Sequence, residues 1–287
     1  MGVPLMKIGL FGLNSGAVHR PDDTRRLAAV AEEIGFDSWW VGEHVVLPSP
    51  RVAPAPMEPT DPILDPLVHL AFVAATTTRI ELGTGIIILP QRNPLVLAKQ
   101  VASLDVLCGG RLHLGIGVGY LEPEMSAIGV PMAQRGERTD DFLAAMQALW
   151  QGTAPISHDG PFISFSGVDA HPRPARAGGL PIVVGGSSRA AHRRAVAVGS
   201  GWYGFFLTPE QTAKQIRALR EAAGEVDRPA ALGPLEISVT PRPSPIDAAL
   251  VDAYRAIGVD RLIAYPLPIT DADSVERALH QIGALIE

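Results

Sequence analysis

Short runs rich in valine, isoleucine and aromatic residues alternate eight times with longer segments of helical spacing. Such alternation is typical of repeated strand–helix units that build a parallel sheet. Eight units in a chain of 287 residues predict a closed (β/α)8 barrel, the TIM barrel, with an open doubly wound sheet as the alternative. The predicted strands are residues 7–12, 38–42, 80–86, 112–117, 181–186, 201–206, 235–240 and 261–267, and the predicted helices are residues 22–34, 61–77, 93–107, 137–150, 188–198, 209–223, 246–257 and 274–286.

Two stretches are longer than a minimal barrel needs. Residues 45–60 are too rich in proline for a helix and follow the second strand, where a long loop indicates a binding loop or lid. Residues 151–180 contain the hairpin-like sequence HDGPFISFSG and precede the fifth strand. Because no repeat or linker divides the chain, we expect one domain over residues 1–287 with an insertion at about 151–180.

Composition excludes several classes of protein. The formal net charge is −6 and the basic residues are scattered, which is not the charge distribution of a nucleic-acid binder. No apolar run reaches the ~20 residues that span a bilayer. The single cysteine, Cys108, has no partner within the chain, and the first residues resemble no secretory signal, so we expect a cytoplasmic protein. The histidines lack metal-site spacing, and we expect no metal.

Polar residues follow several of the predicted strands. In a parallel barrel the loops after the carboxyl ends of the strands form one rim, and active sites lie there. Glu43 and His44 follow the buried sequence WWVG directly, and His44 is a candidate for proton transfer because imidazole titrates near neutral pH. Asn14, His19 and Tyr265 reach the same rim and are candidates for substrate contact; loop capping is the alternative role for each.

Two glycine-rich turns follow strands 4 and 5, namely GIGVGY at 115–120 and GGSS at 185–188. Glycine lets a ligand approach the backbone, and free amides at a helix start favour a phosphate. A tight turn with an ordinary serine cap is the alternative for GGSS. The third strand ends in GTGIII, which indicates either a bulge with an apolar surface suited to a planar ring or a buried strand with a packing glycine.

Four segments together resemble a known family, the bacterial luciferase-like (LLM class) oxidoreductase superfamily. They are AEEIGFDSWWVGEH, RIELGTGIIILPQRNPLVLAKQVASLDVLCGGRLHLGIGVGY, ERTDDFLAAMQALW and PIVVGGSSRAAHRRA. Within the superfamily the chain is most similar to the branch that depends on the deazaflavin coenzyme F420. The resemblance covers nearly the whole chain and implies a luciferase-like TIM barrel with an insertion before strand 5. It also implies a homodimer formed through the helices at 61–77 and 93–107.

The resemblance places a cofactor site on this chain. It implies a non-proline cis peptide between Gly85 and Ile86 behind the cofactor ring, and it implies that His44 manages a proton while Glu43 orients it. The implied cofactor-binding residues are Thr84, Gly85, Ile86, Gly117, Val118, Gly119, Tyr120, Gly185, Gly186, Ser187 and Ser188.

The function implied by the resemblance is hydride transfer between F420 and a small organic substrate, because a deazaflavin passes electrons as hydride and activates dioxygen poorly. One alternative is an FMN-dependent monooxygenase that receives reduced flavin from a separate reductase. Another is a barrel that only stores or carries a flavin-type cofactor. Tyr120 stands where sugar-phosphate dehydrogenases of this branch carry a glutamate, which argues against a sugar-phosphate substrate. The apolar residues near the barrel mouth and the proline-rich loop 45–60 indicate a neutral, moderately hydrophobic substrate instead.

Overall fold

The computed structural model describes residues 6–176 and 178–286. In these residues parallel strands close into an eight-stranded barrel surrounded by helices, as the sequence predicts. The strands, in chain order, are β1 (Lys7–Phe11), β2 (Ser38–Val41), β3 (Glu81–Thr84), β4 (Ile87–Ile88), β5 (Leu112–Gly117), β6 (Ile156–Asp159), β7 (Ser164–Val168), β8 (Ile182–Gly185), β9 (Gly201–Leu207), β10 (Glu236–Pro241) and β11 (Arg261–Ala264).

The hydrogen-bonding order of the strands fixes which parts of the barrel face each other. The order is β3, β2, β1, β11, β10, β9, β8, β5, with β4 continuing β3 beside β5. Pairing of β3 with β5 closes the ring. Strands β5 and β11 therefore lie on opposite sides of the barrel, with three strands between them in either direction.

The helices lie on the outside of the barrel. They are α1 (Pro21–Ile34), α2 (Pro66–Ala74), α3 (Pro94–Leu107), α4 (Glu122–Ala127), α5 (Arg135–Gln151), α6 (Arg189–Val198), α7 (Pro209–Ala223), α8 (Ala248–Ala256) and α9 (Ala272–Gly283). Helix α2 is shorter than predicted, because Asp65 accepts hydrogen bonds from two amides of its first turn and thus caps it. None of the helices in the described ranges is both long enough and apolar enough to cross a membrane.

The insertion before strand β8 is an antiparallel hairpin of β6 and β7. Asp141 of α5 anchors it by accepting hydrogen bonds from the amides of Phe162 and Ile163 at 2.8 and 3.0 Å. His158 of β6 contacts the other oxygen of Asp141 at 2.7 Å. The hairpin therefore packs on α5.

A buried arginine fills the amino-terminal end of the barrel. Arg261 is 0% exposed and binds Asp37, Glu81 and Glu236, with nitrogen–oxygen distances of 2.7 Å to Glu81 and 3.1 Å to Glu236. Burial lowers the pKa of this guanidinium, but the three carboxylates raise it by more, so that the net shift is upward. All four residues lie at or next to the first residue of a strand. Because this end is filled, the open end is the carboxyl end of the strands.

Candidate active site

A cavity of about 450 Å³ opens among the carboxyl ends of the barrel strands. Its volume falls within the range of about 300–1,000 Å³ that is usual for small-molecule sites. Apolar side chains and glycine backbone form most of its wall. The predicted site residues that line it are Asn14, Glu43, His44, Gly85, Ile86, Gly117, Val118, Gly119, Tyr120, Gly185, Gly186 and Tyr265.

Three predicted cofactor-binding residues lie outside the cavity wall. The hydroxyl of Thr84 is buried and donates to the Gly115 carbonyl at 2.7 Å, so it joins two strands. Ser188 caps helix α6, accepting from the Ala191 amide at 3.2 Å. Ser187 is exposed beside it. The serine-cap interpretation of the GGSS turn therefore describes the contacts of Ser188.

The two polar candidates after β1 hold loops. Asn14 lines the cavity, but its side-chain amide donates to the carbonyls of Gly42 at 3.0 Å and Leu64 at 2.9 Å. These bonds join the loop after β1 to both ends of the loop between β2 and α2. His19 is outside the cavity wall, and its Nδ1 lies 2.7 Å from the Gly16 carbonyl. The amide nitrogen of Asn14 and Nδ1 of His19 are therefore both engaged by backbone carbonyls.

His44 is held at the cavity wall by a buried acid. Its side chain is 10% exposed, and its Nδ1 lies 2.8 Å from Oε2 of Glu124, whose side chain is 0% exposed. The other oxygen of Glu124 accepts from the Val45 amide at 2.6 Å. Because a carboxylate only accepts hydrogen bonds, Nδ1 carries the hydrogen, and Nε2 is the nitrogen left for proton exchange.

The hydroxyl of Tyr120 lies 3.3 Å from Nε2 of His44. Burial raises the pKa of this phenol, and the charge of Glu124 raises it further. Tyr120 therefore keeps its proton, which it can donate to Nε2 whenever that nitrogen carries no hydrogen. The three side chains form a chain of hydrogen bonds that leads from buried acid to half-exposed phenol.

The expectation that Glu43 orients His44 is wrong. Glu43 instead accepts from the Ile88 amide at 2.6 Å and from Nε of Arg92 at 2.8 Å, and Arg92 also binds Asp65, the α2 cap, at 2.6 Å. Burial raises the pKa of Glu43, while Arg92 opposes this shift. Glu43 therefore joins the end of β2 to β4 and α2.

Glu124, which takes the role expected of Glu43, lies on the short helix α4 that the sequence did not predict. This segment follows strand β5, so it belongs to the rim where active sites lie in a parallel barrel. Glu122 shares it, however, and nothing in the local sequence distinguishes the inward carboxylate from the outward one. The sequence could therefore place this segment near the site, but it could not identify Glu124 as the residue that contacts His44.

The wall near β4 is built around the side chain of Ile86. The cis peptide between Gly85 and Ile86, which the resemblance implies, is present. A Cβ added to Gly117 would lie 2.6 Å from Cδ1 of Ile86, and one added to Gly185 would lie 2.9 Å from its Cγ2. These glycines thus make room for Ile86 and also line the cavity. Because they carry no side chains, this part of the wall is apolar and flat.

Aromatic residues, which the sequence placed in a buried strand, line another part of the cavity. Phe11 is at the end of β1, and Phe205 and Phe206 are at the end of β9. Tyr203 is also there, with its hydroxyl 2.6 Å from the hydroxyl of Thr240. Within the described residues, no group of three or more histidine, cysteine or acidic side chains is placed to hold a metal ion. The site thus offers an imidazole for proton transfer among apolar walls.

Comparisons with known proteins agree with this architecture. A family model described as luciferase-like monooxygenase matches residues 6–278. An uncharacterized protein of Mycobacterium tuberculosis is 28% identical over 270 residues, which cover 90% of this chain and 91% of the relative. The monooxygenase RslO1 from Streptomyces bottropensis superposes with a TM-score of 0.81 at 21% identity, over 98% of each chain. An F420-dependent secondary alcohol dehydrogenase, in complex with an F420–acetone adduct, superposes with a TM-score of 0.80 at 16% identity, over 98% of this chain and 99% of that one.

Proposed function

Because this chain belongs to the luciferase-like monooxygenase family, we propose that it is an oxidoreductase that uses coenzyme F420 and transfers a hydride between the deazaflavin and a small organic substrate. The observation that carries the proposal is the His44–Glu124 pair, which leaves one imidazole nitrogen for proton exchange beside an apolar cavity. The full-length superposition on an F420-dependent alcohol dehydrogenase supports the choice of cofactor.

The cavity wall suits a flat, apolar ring. Ile86 presents branched carbons, and the backbones of Gly117 and Gly185 add no side chain above it. Ile86 and Val118 would therefore hold the ring. The exposed turn that contains Ser187 would hold the anionic tail. When bound, a deazaflavin supplies or accepts two electrons as a hydride.

The residues of the chain handle the proton that accompanies the hydride. Reduction of a carbonyl places one hydride on carbon and requires one proton on oxygen; oxidation of an alcohol releases that proton. Nε2 of His44 gives or takes it, while Glu124 stabilises the imidazolium through Nδ1. Tyr120 donates to Nε2 when that nitrogen carries no proton, and its oxygen can accept from Nε2 once the proton is there. The apolar walls exclude water from the transfer.

A second candidate is an FMN-dependent monooxygenase that takes reduced flavin from a separate reductase. It is favoured by the description of the matching family and by the superposition on RslO1 over 98% of each chain. The same apolar wall would hold an isoalloxazine ring. The two candidates differ in which cofactor binds.

Equilibrium titration of the purified protein with F420 and with FMN tests the proposal. We expect F420 to bind at least about tenfold more tightly, a difference of about 1.4 kcal/mol. Tighter binding of FMN would replace the proposal with the second candidate. His44→Ala should leave F420 affinity within about twofold and abolish turnover, whereas His280→Ala, at an exposed histidine of α9, should change neither. A protein that binds F420 but turns over no alcohol or carbonyl substrate would be a carrier.

We also propose that the protein forms a homodimer through α2 and α3. These helices pack on each other, and their outer faces expose Val68 at 70%, Val96 at 56% and Leu107 at 77%. Exposed apolar side chains on two packed helices are typical of a surface that a partner covers. Light scattering should give the mass of a dimer for the wild type and of a monomer for the double variant Val68→Asp, Val96→Asp. The loop variant Val52→Asp should remain dimeric, and a monomeric wild type would contradict the proposal.

A further inference from the structure

We infer that Tyr265 is a specificity-determining residue of the cavity. Its hydroxyl binds the oxygen atom of an uncharged, ring-bearing substrate, and the rings of Phe11, Phe205 and Phe206 form the surface against which that substrate packs. We name these three rings the aromatic wall. The inference rests on the proposed function, because it assigns a substrate class to the same cavity.

The position of Tyr265 is fixed by its neighbours. It follows β11, on the side of the barrel opposite β5 and Gly117. Its ring lies over Gly12, where an added Cβ would be 2.7 Å from Cε2 of the tyrosine, so only glycine leaves room for it. Phe11 and Phe206 flank the ring with centroid distances of 6.1 and 5.9 Å. A ring enclosed in this way points its hydroxyl in a fixed direction.

Among residues 6–176 and 178–286, no side chain or backbone group hydrogen-bonds to the hydroxyl of Tyr265, and this half-buried side chain lines the cavity. The other three tyrosines of the chain each have a hydrogen-bond partner. Tyr120 contacts His44, Tyr203 contacts Thr240 and Tyr254 donates to the Leu207 carbonyl. Burial raises the pKa of Tyr265, so its phenol keeps the proton and remains a donor. An unmatched donor in an apolar cavity favours a ligand that brings an acceptor oxygen.

The charges of the cavity wall exclude an anionic substrate. Of the described residues that line the cavity, none is lysine or arginine. Glu43 lines it, but its oxygens are occupied by the Ile88 amide and by Arg92. Apart from His44, whose imidazole is a cation only when both of its nitrogens carry a proton, the wall offers no cation in return for the water that a substrate carboxylate or phosphate would lose, and that loss is costly. The part of the substrate that enters is therefore uncharged.

The aromatic wall indicates a ring. Phe11 and Phe205 meet edge to face with centroids 5.0 Å apart, and Phe205 stacks on Phe206 at 3.9 Å. Phe206 has φ of 52°, a left-handed conformation that side-chain-bearing residues rarely adopt, and Phe205 is 45% exposed. Backbone strain beside an exposed aromatic ring at a cavity is typical of ligand sites. Aromatic faces and edges pack best against other rings.

Binding of three small molecules tests this inference without requiring turnover. Acetophenone is an uncharged aryl ketone, ethylbenzene has the same shape without the oxygen, and benzoate carries a charge. Dissociation constants would be measured by ligand-observed NMR for the wild type, Tyr265→Phe, Phe205→Leu and the control Tyr254→Phe, whose hydroxyl bonds the Leu207 carbonyl outside the cavity wall.

We expect the wild type to bind acetophenone at least about tenfold more tightly than benzoate. Tyr265→Phe should weaken the binding of acetophenone about fivefold, the equivalent of one hydrogen bond of about 1 kcal/mol, and leave the affinity for ethylbenzene unchanged. Phe205→Leu should weaken the binding of both uncharged probes, whereas Tyr254→Phe should change the affinity for neither. Wild-type affinity for acetophenone in Tyr265→Phe, or tighter binding of benzoate, would overturn the inference. Failure to bind F420 would instead remove the proposed function and leave these affinities as they are.

Discussion

Replacing His69 with glutamine should remove an acid-sensitive part of the stability of this protein. His69 lies in α2, is 2% exposed, and accepts a hydrogen bond at Nε2 from Nε1 of Trp39 at 3.2 Å. An imidazole nitrogen that accepts carries no proton, so the ring is neutral in the folded state. Burial lowers the pKa of His69 to about 4, from the value of 6.5 for an unperturbed histidine.

The direction of the pH effect follows from the two pKa values. Because the unfolded chain has the higher pKa, it takes up a proton first as the pH falls, and protonation favours unfolding. The stability that the neutral, buried His69 contributes is complete above about pH 6.5 and is lost progressively as the pH falls to about 4. One pKa unit corresponds to about 1.4 kcal/mol, so the full loss is about 3 kcal/mol. Integration of the two titrations assigns about 2 kcal/mol of it to the interval between about pH 7 and about pH 5.

Urea unfolding of the wild type and His69→Gln at several pH values between about 7 and 5 measures this term. Glutamine supplies an amide oxygen as acceptor for Trp39 but does not titrate. The wild type should lose about 2 kcal/mol more free energy of unfolding over this interval than the variant. His280→Gln, at an exposed position of α9, is the control and should lose as much as the wild type. Equal losses for the wild type and His69→Gln would refute the reasoning.

Three further substitutions probe the site and the barrel. Glu124→Gln should invert the tautomer of His44, because an amide nitrogen donates where the carboxylate accepts; nitrogen-15 shifts of His44 should show the hydrogen moving to Nε2, and turnover should fall at least about a hundredfold. Gly117→Ala places a Cβ 2.6 Å from Ile86, so titration should show weaker cofactor binding and urea unfolding a destabilisation of about 1–3 kcal/mol. Arg261→Met leaves three carboxylates facing one another and should lower the free energy of unfolding at neutral pH by about 3–5 kcal/mol, and by less in acid where they are protonated.

The barrel was predictable because strand and helix periodicity are local properties of the chain. The fourth barrel strand, predicted at 112–117, is β5 with the same bounds. The third, predicted at 80–86, contains only β3 (Glu81–Thr84); the cis peptide between Gly85 and Ile86 interrupts the strand, and β4 (Ile87–Ile88) lies beyond the predicted end. Periodicity alone does not report a change of backbone direction inside an apolar run. The glycine in GTGIII marked its place, and the family resemblance supplied its geometry.

The acid that orients His44 was not predictable in the same way, because the choice is made by a distant residue. Glu43 precedes His44 directly and is the acid that any local argument selects. Arg92, 49 residues further along the chain, binds Glu43 and directs it towards β4. Glu124, 80 residues from His44, then occupies the position beside Nδ1. Position on the rim is a property of the fold, whereas the direction of a side chain depends on tertiary partners.

The aromatic wall was overlooked for a related reason. Phe205 and Phe206 belong to an apolar run, and in a regular strand successive side chains point to opposite faces, so one would be buried in the barrel and the other against the helices. The positive φ of Phe206 breaks this alternation at the end of β9 and brings both rings to the cavity. An apolar side chain at the end of a strand can thus line a ligand cavity when a change of backbone direction points it there. For this barrel, the polar residues of the rim indicate where protons move, and the turns of the strand ends decide which substrate surfaces fit.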